Sequence, residues 1–265
     1  DMLKAQLEKR PLTIRVNEAM PGEAQSKMLS QIAEAGVKVT QSNQLPYAYY
    51  LEQVDHIGAL PGYAQGGFFM QDIGSMQVVE LAGIKPGDTV IDVCAAPGGK
   101  AMHALAKLHG KGSVQARDLT ENKVSLIEEN IARCAGAADA IEALAWDARI
   151  LDPQAVEKAD VVIADLPCSG LGVIGRKSDI KYRMTPEQVA DIAALQREIL
   201  SVVWQYVKPG GILMYSTCTL TKAENQDNRD WFLENCPFTL LEEKELLPSA
   251  ETDGFYMIKC RRNKA

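Results

Sequence analysis

The chain has 265 residues, of which 46% are hydrophobic and 24% charged, and a net charge of −7 at pH 7; this composition excludes disordered and fibrous proteins and leaves room for one large domain with a smaller appendage. No apolar run approaches the roughly 18 to 20 residues that span a bilayer, and the first residues lack the apolar region of a signal peptide. We therefore expect a cytoplasmic monomer without membrane contact, and the acidic balance excludes a protein that holds nucleic acid by its overall field.

The first 70 residues predict a small α+β unit. Segment LTIRVN, which starts at Leu12, has the pattern of a strand, SKMLSQIAEAG predicts an amphipathic helix that ends at Gly36, and VKVTQS predicts a second strand. The glycine-rich stretch LPGYAQGGFFMQD follows. We place a boundary near residue 70 and expect a small subdomain over residues 1–70 and a larger domain over residues 71–265.

In the larger domain, strands alternate with helices, which predicts an α/β fold with a doubly wound, mostly parallel sheet. Five apolar segments predict its parallel strands: TVIDVC (89–94), SVQARD (113–118), AIEALAW (140–146), ADVVIADL (159–166) and GGILMYSTC (210–218). The predicted helices are GKAMHALAKL, ENKVSLIEENIARC and EQVADIAALQREILSVVWQYV. A terminal hairpin, predicted from FTLLEE and GFYMIKC, brings the sheet to seven strands.

Ligands of open α/β sheets bind beyond the carboxyl ends of the strands, so a site is expected there. The first strand ends in DVCAAPGGK, residues 92–100, whose glycines let a ligand approach the backbone. This segment is not a phosphate-binding loop, because Cys94 stands where that motif needs glycine and Ala101 where it needs Ser or Thr. The dinucleotide fingerprint G-x-G-x-x-G is also absent from the sequence.

Acidic residues end the next two predicted strands. Asp118 is placed to accept hydrogen bonds from ribose hydroxyls, and Asp147 from an adenine amino group. A ribose acceptor and an adenine acceptor without a pyrophosphate cradle indicate S-adenosylmethionine as the cofactor. Two alternatives stay open: Asp118 as a charge at a helix N-terminus and Asp147 as a turn residue.

Two cysteines end the fourth and fifth predicted strands and are expected to face one crevice. Cys168 lies in DLPCSG and Cys218 in YSTCT. Strand cysteines are often small buried hydrophobes, but these two stand in polar company beside the predicted cofactor site. No two of the six cysteines have C-x-x-C spacing, so we expect neither a metal site nor a disulfide framework.

Methylation of cytosine at C5 gives a chemical reason for two thiols at this place. C5 is a weak nucleophile until another nucleophile adds at C6, and a thiolate suits that step. Charge then builds on the ring, and Asp165, at the end of the fourth strand, would have to be protonated or share a proton near N3. A second group, for which Cys168 is placed, must help to release the first thiol.

The motifs DVCAAPGGK, DLPCSG and YSTCT resemble the cofactor and cysteine motifs of the RNA 5-methylcytosine methyltransferases of the NOL1/NOP2/Sun group. PLTIRVN, GFFMQD, GVIGRKSDIKYR, the Glu224-Asn225 pair and DGFYMIKC are also similar, so the resemblance covers nearly the whole chain. It implies a Rossmann-like class I methyltransferase fold, a catalytic domain over residues 71–265 and an RNA-binding accessory role for residues 1–70. Members that modify small-subunit (16S) rRNA also carry an N-terminal helical RNA-binding domain. This sequence lacks it, so we expect a fragment or a shortened homologue.

The resemblance also implies a role for each motif residue. Cys218 is then the nucleophile, Cys168 the release group and Asp165 the partner of N3. The implied residues around S-adenosylmethionine are Cys94, Ala95, Ala96, Pro97, Gly98, Gly99, Lys100, Asp118, Asp147 and Asp165. DNA cytosine methyltransferases instead attack from a Pro-Cys motif, which would make Cys168 the nucleophile.

An RNA partner of this acidic chain must be held locally. Arg176, Lys177 and Lys181 are the predicted phosphate contacts, and the basic tail around residues 259–264 is a further candidate. A solvated charged face is the alternative interpretation of both clusters. The competing functions are a non-catalytic RNA-binding or ribosome-assembly protein on the same fold and the same chemistry on tRNA or large-subunit rRNA.

Overall fold

The N-terminal part of the chain forms a small antiparallel sheet. The structure, a computed structural model, describes residues 10–134 and 138–264, so residues 1–9 of the predicted subdomain lie outside it. Four strands pair in the order β2-β3-β1-β4: β1 (Leu12–Val16), β2 (Lys38–Gln41), β3 (Ala48–Glu52) and β4 (Phe68–Met70). Helix α1 (Gly22–Glu34) packs Met28 and Ile32 against this sheet. The α+β pattern predicted from the sequence is therefore present.

The second sheet has seven strands within the described residues, as the sequence predicts. Their order is β10-β11-β9-β8-β5-β6-β7, with β5 to β9 parallel and the β10–β11 hairpin antiparallel at one edge. The bounds are β5 (Thr89–Asp92), β6 (Ser113–Asp118), β7 (Ile141–Ala145), β8 (Ala159–Asp165), β9 (Val207–Thr217), β10 (Phe238–Leu246) and β11 (Phe255–Arg262). This is the Rossmann-like architecture expected of a class I methyltransferase.

Helices cover both faces of this sheet. The helices are α2 (Ile73–Ala82), α3 (Gly99–Lys107), α4 (Glu121–Arg133), α5 (Ile180–Arg183), α6 (Pro186–Val203) and α7 (Gln226–Asn235). Neighbouring residues of one strand serve opposite faces: Val90 packs with α2, α3 and α4, whereas Ile91 packs with α6 and α7. Both faces of the parallel strands are therefore buried, which explains their continuous apolar segments.

Helix α2 joins the two sheets. It follows β4 directly, and Asp72 caps its N-terminus by accepting a 2.9 Å hydrogen bond from the Gly74 backbone N–H. Ile73 and Met76 pack against Tyr47, Ala48 and Tyr50 of the small sheet. Helix α2 also packs on the large sheet and on α3. The sequence pattern does not predict this helix, because its own apolar residues lie on several sides and no helical period stands out.

Within the described ranges, no helix is both long and apolar enough to cross a membrane. The same residues contain no group of three or more His, Cys, Asp or Glu side chains arranged to hold a metal ion.

Candidate active site

The order in which the strands are connected reverses at β5, and this reversal determines where the site lies. β5 pairs with β6 on one side and with β8 on the other, so the connections leave β5 in opposite directions. A crevice forms at such a switch point, beyond the carboxyl ends of the strands. The segment after β5 and the cysteine segments after β8 and β9 all reach this edge.

A tight turn carries the chain from β5 into α3. Gly98 has φ +107°, a left-handed conformation that side chains disfavour, and its N–H donates to the Ala95 carbonyl at 2.7 Å. Asp118, at the end of β6, accepts a 2.9 Å hydrogen bond from the Ala96 N–H. Because Asp118 is buried, its position is fixed, and its hydrogen bond holds the shape of this turn.

The turn lines one wall of a pocket. Its lining residues are Met70, Gln71, Asp72, Ser75, Asp92, Cys94, Ala95, Ala96, Pro97, Gly99, Lys100 and Asp165. Seven predicted cofactor residues are among them, whereas Gly98, Asp118 and Asp147 are not. Gln71, Ser75 and Asp92 are pocket residues to which the sequence assigned no role. Gln71 and Ser75 lie at the junction of the two sheets. The rule that ligands bind beyond the carboxyl ends of the parallel strands does not apply to residues there.

Asp92 makes the pocket suitable for a cation. It is 1% exposed, and neither carboxylate oxygen has a hydrogen-bond partner among the described residues. Burial raises the pKa of Asp92 to about 7, although the nearby Lys100 acts in the opposite direction. A buried carboxylate without donors is costly, and a positively charged ligand would offset that cost. S-adenosylmethionine carries a sulfonium and an ammonium group, so the residues present fit this cofactor.

The two acidic strand-end residues have partners within the protein. Thr120 caps α4, whereas Asp118 pairs with Lys123 in the first turn of α4 at 2.9 Å, so the alternative of a charge at the helix N-terminus stays open for Asp118. Asp147 accepts a 2.9 Å hydrogen bond from the Arg149 N–H and pairs with the Arg149 guanidinium, a turn arrangement that lowers the pKa of Asp147. Each carboxylate still has lone pairs for a further donor, so the ribose and adenine contacts stay predictions.

Lys100 and Asp165 form an ion pair at the centre of the crevice. Lys100 Nζ lies 2.6 Å from one carboxylate oxygen of Asp165, and the Ser216 hydroxyl donates to the other at 2.7 Å. Burial disfavours the Lys100 ammonium, but Asp165 and Asp92 together raise the pKa of Lys100 above its usual value. Asp165 thus accepts hydrogen bonds from Lys100 and Ser216, and its role beside N3 stays a prediction.

The two predicted cysteines meet beside this ion pair. The Sγ atoms of Cys168 and Cys218 are 3.2 Å apart, and each side chain is partly buried. A hydrogen bond from Cys168 lowers the pKa of the Cys218 thiol, with Lys100 and Lys177 adding positive charge, while burial and Asp165 oppose them. The same hydrogen bond, with burial, raises the pKa of Cys168 well above its usual value. These opposite pKa shifts favour ionisation of Cys218 before Cys168.

A buried carboxylate, Glu224, holds the two cysteine segments together. It accepts hydrogen bonds from the Ser169 N–H at 2.8 Å and from the Ser169 hydroxyl at 2.6 Å. Ser169 also contacts the Thr219 hydroxyl at 2.7 Å. Since Ser169 follows Cys168 and Thr219 follows Cys218, this cluster sets the spacing of the two thiols. The sequence patterns assign Glu224 no role beyond its part in the family resemblance.

The predicted RNA contacts lie on the segment that follows Cys168. Arg176 donates to Asp253 at 2.7 Å and to Asp72 at 3.4 Å, so its guanidinium ties the segment to the protein. Lys177 and Lys181 are exposed. The tail residue Arg262 is paired with Glu157 at 2.7 Å.

Comparison with known families and proteins gives a consistent result. A family model described as 16S rRNA methyltransferase RsmB/F matches residues 79–260. The ribosomal RNA small subunit methyltransferase B of Vibrio cholerae serotype O1 is 35% identical over 266 aligned positions, which cover 96% of this chain and 59% of the relative. The protein of the same name from Cronobacter sakazakii is 33% identical, with 97% and 61% covered. The chain thus spans about three fifths of the length of these relatives.

Solved structures share the whole architecture. The crystal structure of PH0851 is 28% identical with a TM-score of 0.91, covering 98% of this chain and 62% of that one. The crystal structure of NSun6 from Pyrococcus horikoshii with SFG has a TM-score of 0.88 at 22% identity, with 100% and 94% covered. At that identity, the second likeness shows the fold alone.

Proposed function

The chain belongs to the 16S rRNA methyltransferase RsmB/F family, as its motifs indicate, and on that premise we propose that it transfers a methyl group from S-adenosylmethionine to C5 of a cytosine in RNA. Small-subunit (16S) rRNA is the proposed substrate. The observation that carries this proposal is the pair of thiols 3.2 Å apart, beside the Lys100–Asp165 ion pair. The two cysteines follow the neighbouring strands β8 and β9, and the proposed reaction uses one thiol for attack at C6 and the other for release.

Cys218 begins the reaction as the nucleophile. Its thiolate, stabilised by the Cys168 thiol and by nearby lysine charge, forms a bond to C6 of the cytosine. The electron pair of the C5–C6 double bond moves into the ring, which makes C5 nucleophilic. We assign the attack to Cys218 and not to Cys168, the Pro-Cys cysteine of the DNA-enzyme pattern, because the pKa of Cys168 is raised and that of Cys218 is lowered.

Asp165 and Lys100 handle the charge that builds on the ring. Asp165 accepts a hydrogen bond from the Lys100 ammonium at 2.6 Å, so Lys100 can transfer a proton to Asp165 at the crevice. Presented to N3, this proton stabilises the adduct formed by Cys218. Ser216 keeps the Asp165 carboxylate in place through its 2.7 Å hydrogen bond.

The pocket between the Gly98 turn and α2 is the proposed cofactor site. S-adenosylmethionine, when bound, supplies an electrophilic methyl group on a positively charged sulfur. Asp92 faces this pocket with an unpaired carboxylate, and the 94–100 turn presents its backbone. We assign Asp118 and Asp147 to the ribose and adenine groups.

Cys168 acts at the end of the reaction. Once C5 carries the methyl group, the C5 proton passes to solvent and its electron pair restores the C5–C6 double bond as the C6–S bond breaks. The Cys218 sulfur leaves as a thiolate, and the Cys168 S–H is positioned to donate to it. Removal of Cys168 should therefore slow release more than attack.

Trapping of the covalent adduct tests these roles. Wild type, Cys218→Ala, Cys168→Ala and the double variant are incubated with an unmodified 16S rRNA transcript and labelled S-adenosylmethionine, then run on a denaturing gel. Cys218→Ala should be inactive and form no adduct. Cys168→Ala should accumulate a denaturant-resistant protein–RNA complex that carries the methyl label, because attack and transfer precede release. The double variant should lose that complex.

Two results would contradict the proposal. A trap formed by Cys218→Ala but not by Cys168→Ala would exchange the roles of the cysteines. A wild-type protein that binds the transcript and S-adenosylmethionine but transfers no methyl group would favour a non-catalytic RNA-binding protein.

A further inference from the structure

An exposed tyrosine lies within the basic segment, defined here as residues 176–183. Tyr182 is 82% exposed, in the short helix α5. Its neighbour Lys181 lies with Nζ 4.8 Å from the centroid of the Tyr182 ring. Single exposed apolar side chains are common on protein surfaces, so exposure alone assigns no role. What distinguishes the Tyr182 ring is its position and the charged side chains around it.

The basic segment is anchored next to the catalytic cysteines. The Gly172 N–H donates to the Cys218 carbonyl at 3.0 Å, and Arg176 is paired with Asp253 at 2.7 Å. A Cβ atom on Gly170 would lie 2.9 Å from Ile180 Cδ1, so α5 packs against the chain two residues after Cys168. Helix α5, which carries Tyr182, therefore packs beside the segment that follows Cys168.

The charges around Tyr182 match a single strand of nucleic acid. Lys177, Lys181 and Arg183 are exposed, with Asp179 as the acidic residue among them, paired with Arg183 at 3.4 Å. Proteins that bind single strands combine positive charge along the backbone with aromatic rings on which bases stack. A cytosine that enters the crevice must leave its stack, which exposes the faces of the neighbouring bases.

We propose that Tyr182 is a stacking platform for a base next to the target cytosine, while Lys177 and Lys181 hold the adjacent phosphates. The inference rests on the proposed function, because it takes the substrate to be RNA. Arg176 is assigned a different role from the one that the sequence predicted: it anchors the segment through Asp253 and Asp72.

Binding of a single-stranded RNA probe tests this assignment. The probe is a fluorescein-labelled 12-nucleotide RNA of cytidine and uridine, and its Kd is measured by anisotropy in increasing salt. Tyr182→Ala should raise Kd between about fivefold and about 150-fold, the range for loss of one stacked base, without changing the salt slope. Lys181→Ala should instead reduce the slope of log Kd against log salt by about 0.7. Tyr182→Phe keeps the ring and should bind like wild type.

Leu241→Ala is the matched control, since Leu241 is an exposed apolar side chain on edge strand β10. It should leave Kd unchanged. An unchanged Kd for Tyr182→Ala, or an equal loss for Tyr182→Phe and Tyr182→Ala, would overturn the inference. A wild-type protein that does not bind the probe would overturn both this inference and the RNA substrate. Intact RNA binding without methyl transfer would contradict the proposed function alone.

Discussion

Asp92 is a buried carboxylate whose ionisation opposes folding. Its pKa is raised to about 7 by burial, only partly offset by Lys100. Because the folded pKa lies above that of the unfolded chain, the folded state binds more protons, and stability falls as pH rises between the two values. The cost is complete above about pH 7 and is relieved as pH falls. A residue placed at such a cost beside a pocket is typical of a binding site.

Asp92→Asn should therefore be more stable than wild type at pH 8, by on the order of a few kcal/mol, because the amide cannot ionise. The difference in free energy of unfolding should shrink toward pH 5. Urea denaturation of both proteins without ligand at pH 5, 6, 7 and 8 measures it. Asp191→Asn, at an exposed site on α6, is the control and should change nothing. A difference in the free energy of unfolding that is the same at all four pH values would show that folding does not raise the pKa of Asp92.

The strands of the large sheet could be predicted from the sequence, whereas three of the helices in this region, α2, α5 and α7, could not. Helix α5 has only four residues, too few for a helical period. Strands such as β5 and β8 are buried on both faces and have continuous apolar segments. Helix α2 has buried residues on several sides, including Ile73, Val78 and Val79, so no helical period stands out. Helix α7 is mostly polar, and only Asn228 and Phe232 are buried.

The candidate site divides in the same way. Cys168 and Cys218 could be placed together because parallel strands bring their carboxyl ends to one edge. Gln71 comes from a segment outside that sheet and depends on the packing of α2, which no local pattern indicates. Glu224 lies in a loop after β9, and only the folded chain brings it to Ser169. Glu224 therefore joins the site only through contacts between residues that are far apart in the sequence.

Glu224 should be a positioning residue for the two cysteine segments. Glu224→Gln replaces one carboxylate oxygen, which accepts from Ser169, by a donor and should destabilise the fold by roughly 1–3 kcal/mol. Methyl transfer should show a lower kcat and an optimum shifted to higher pH, because Cys218 loses its aligned donor. Affinity for S-adenosylmethionine, measured by calorimetry, should not change.

Glu234→Gln is the control for this variant, since Glu234 is exposed on α7, the helix that follows the Glu224 loop. It should retain wild-type stability and pH profile. A Glu224→Gln protein that loses stability but keeps its kcat and its pH optimum would restrict Glu224 to a structural role.

The small and large sheets are joined by apolar and by polar contacts. The cluster around Tyr47 and Met76 and the Phe69 side chain, which packs in the large-sheet core, supply apolar contacts, and polar groups also bridge the two sheets. Arg133, at the end of α4, donates to the Tyr63 carbonyl at 3.0 Å and the Phe68 carbonyl at 3.1 Å. Its guanidinium also lies 4.6 Å from the Tyr63 ring centroid. One side chain thus connects the parallel-sheet region to the segment that leads into β4.

Arg133→Met should uncouple the unfolding of the two sheets. Methionine keeps the apolar stem but loses two hydrogen bonds from a charged donor, each worth about 1.5–3 kcal/mol, and a cation–π contact. All three tryptophans, Trp146, Trp204 and Trp231, belong to the large-sheet region, so their fluorescence reports that region, while circular dichroism reports both sheets. In wild type the two urea transitions should coincide. In Arg133→Met the dichroism transition should begin at lower urea, because the small sheet unfolds first.

Arg183→Met, which removes an 80% exposed arginine, is the control and should keep the transitions together. Coincident transitions in Arg133→Met would show that the apolar contacts of α2 suffice to unite the molecule.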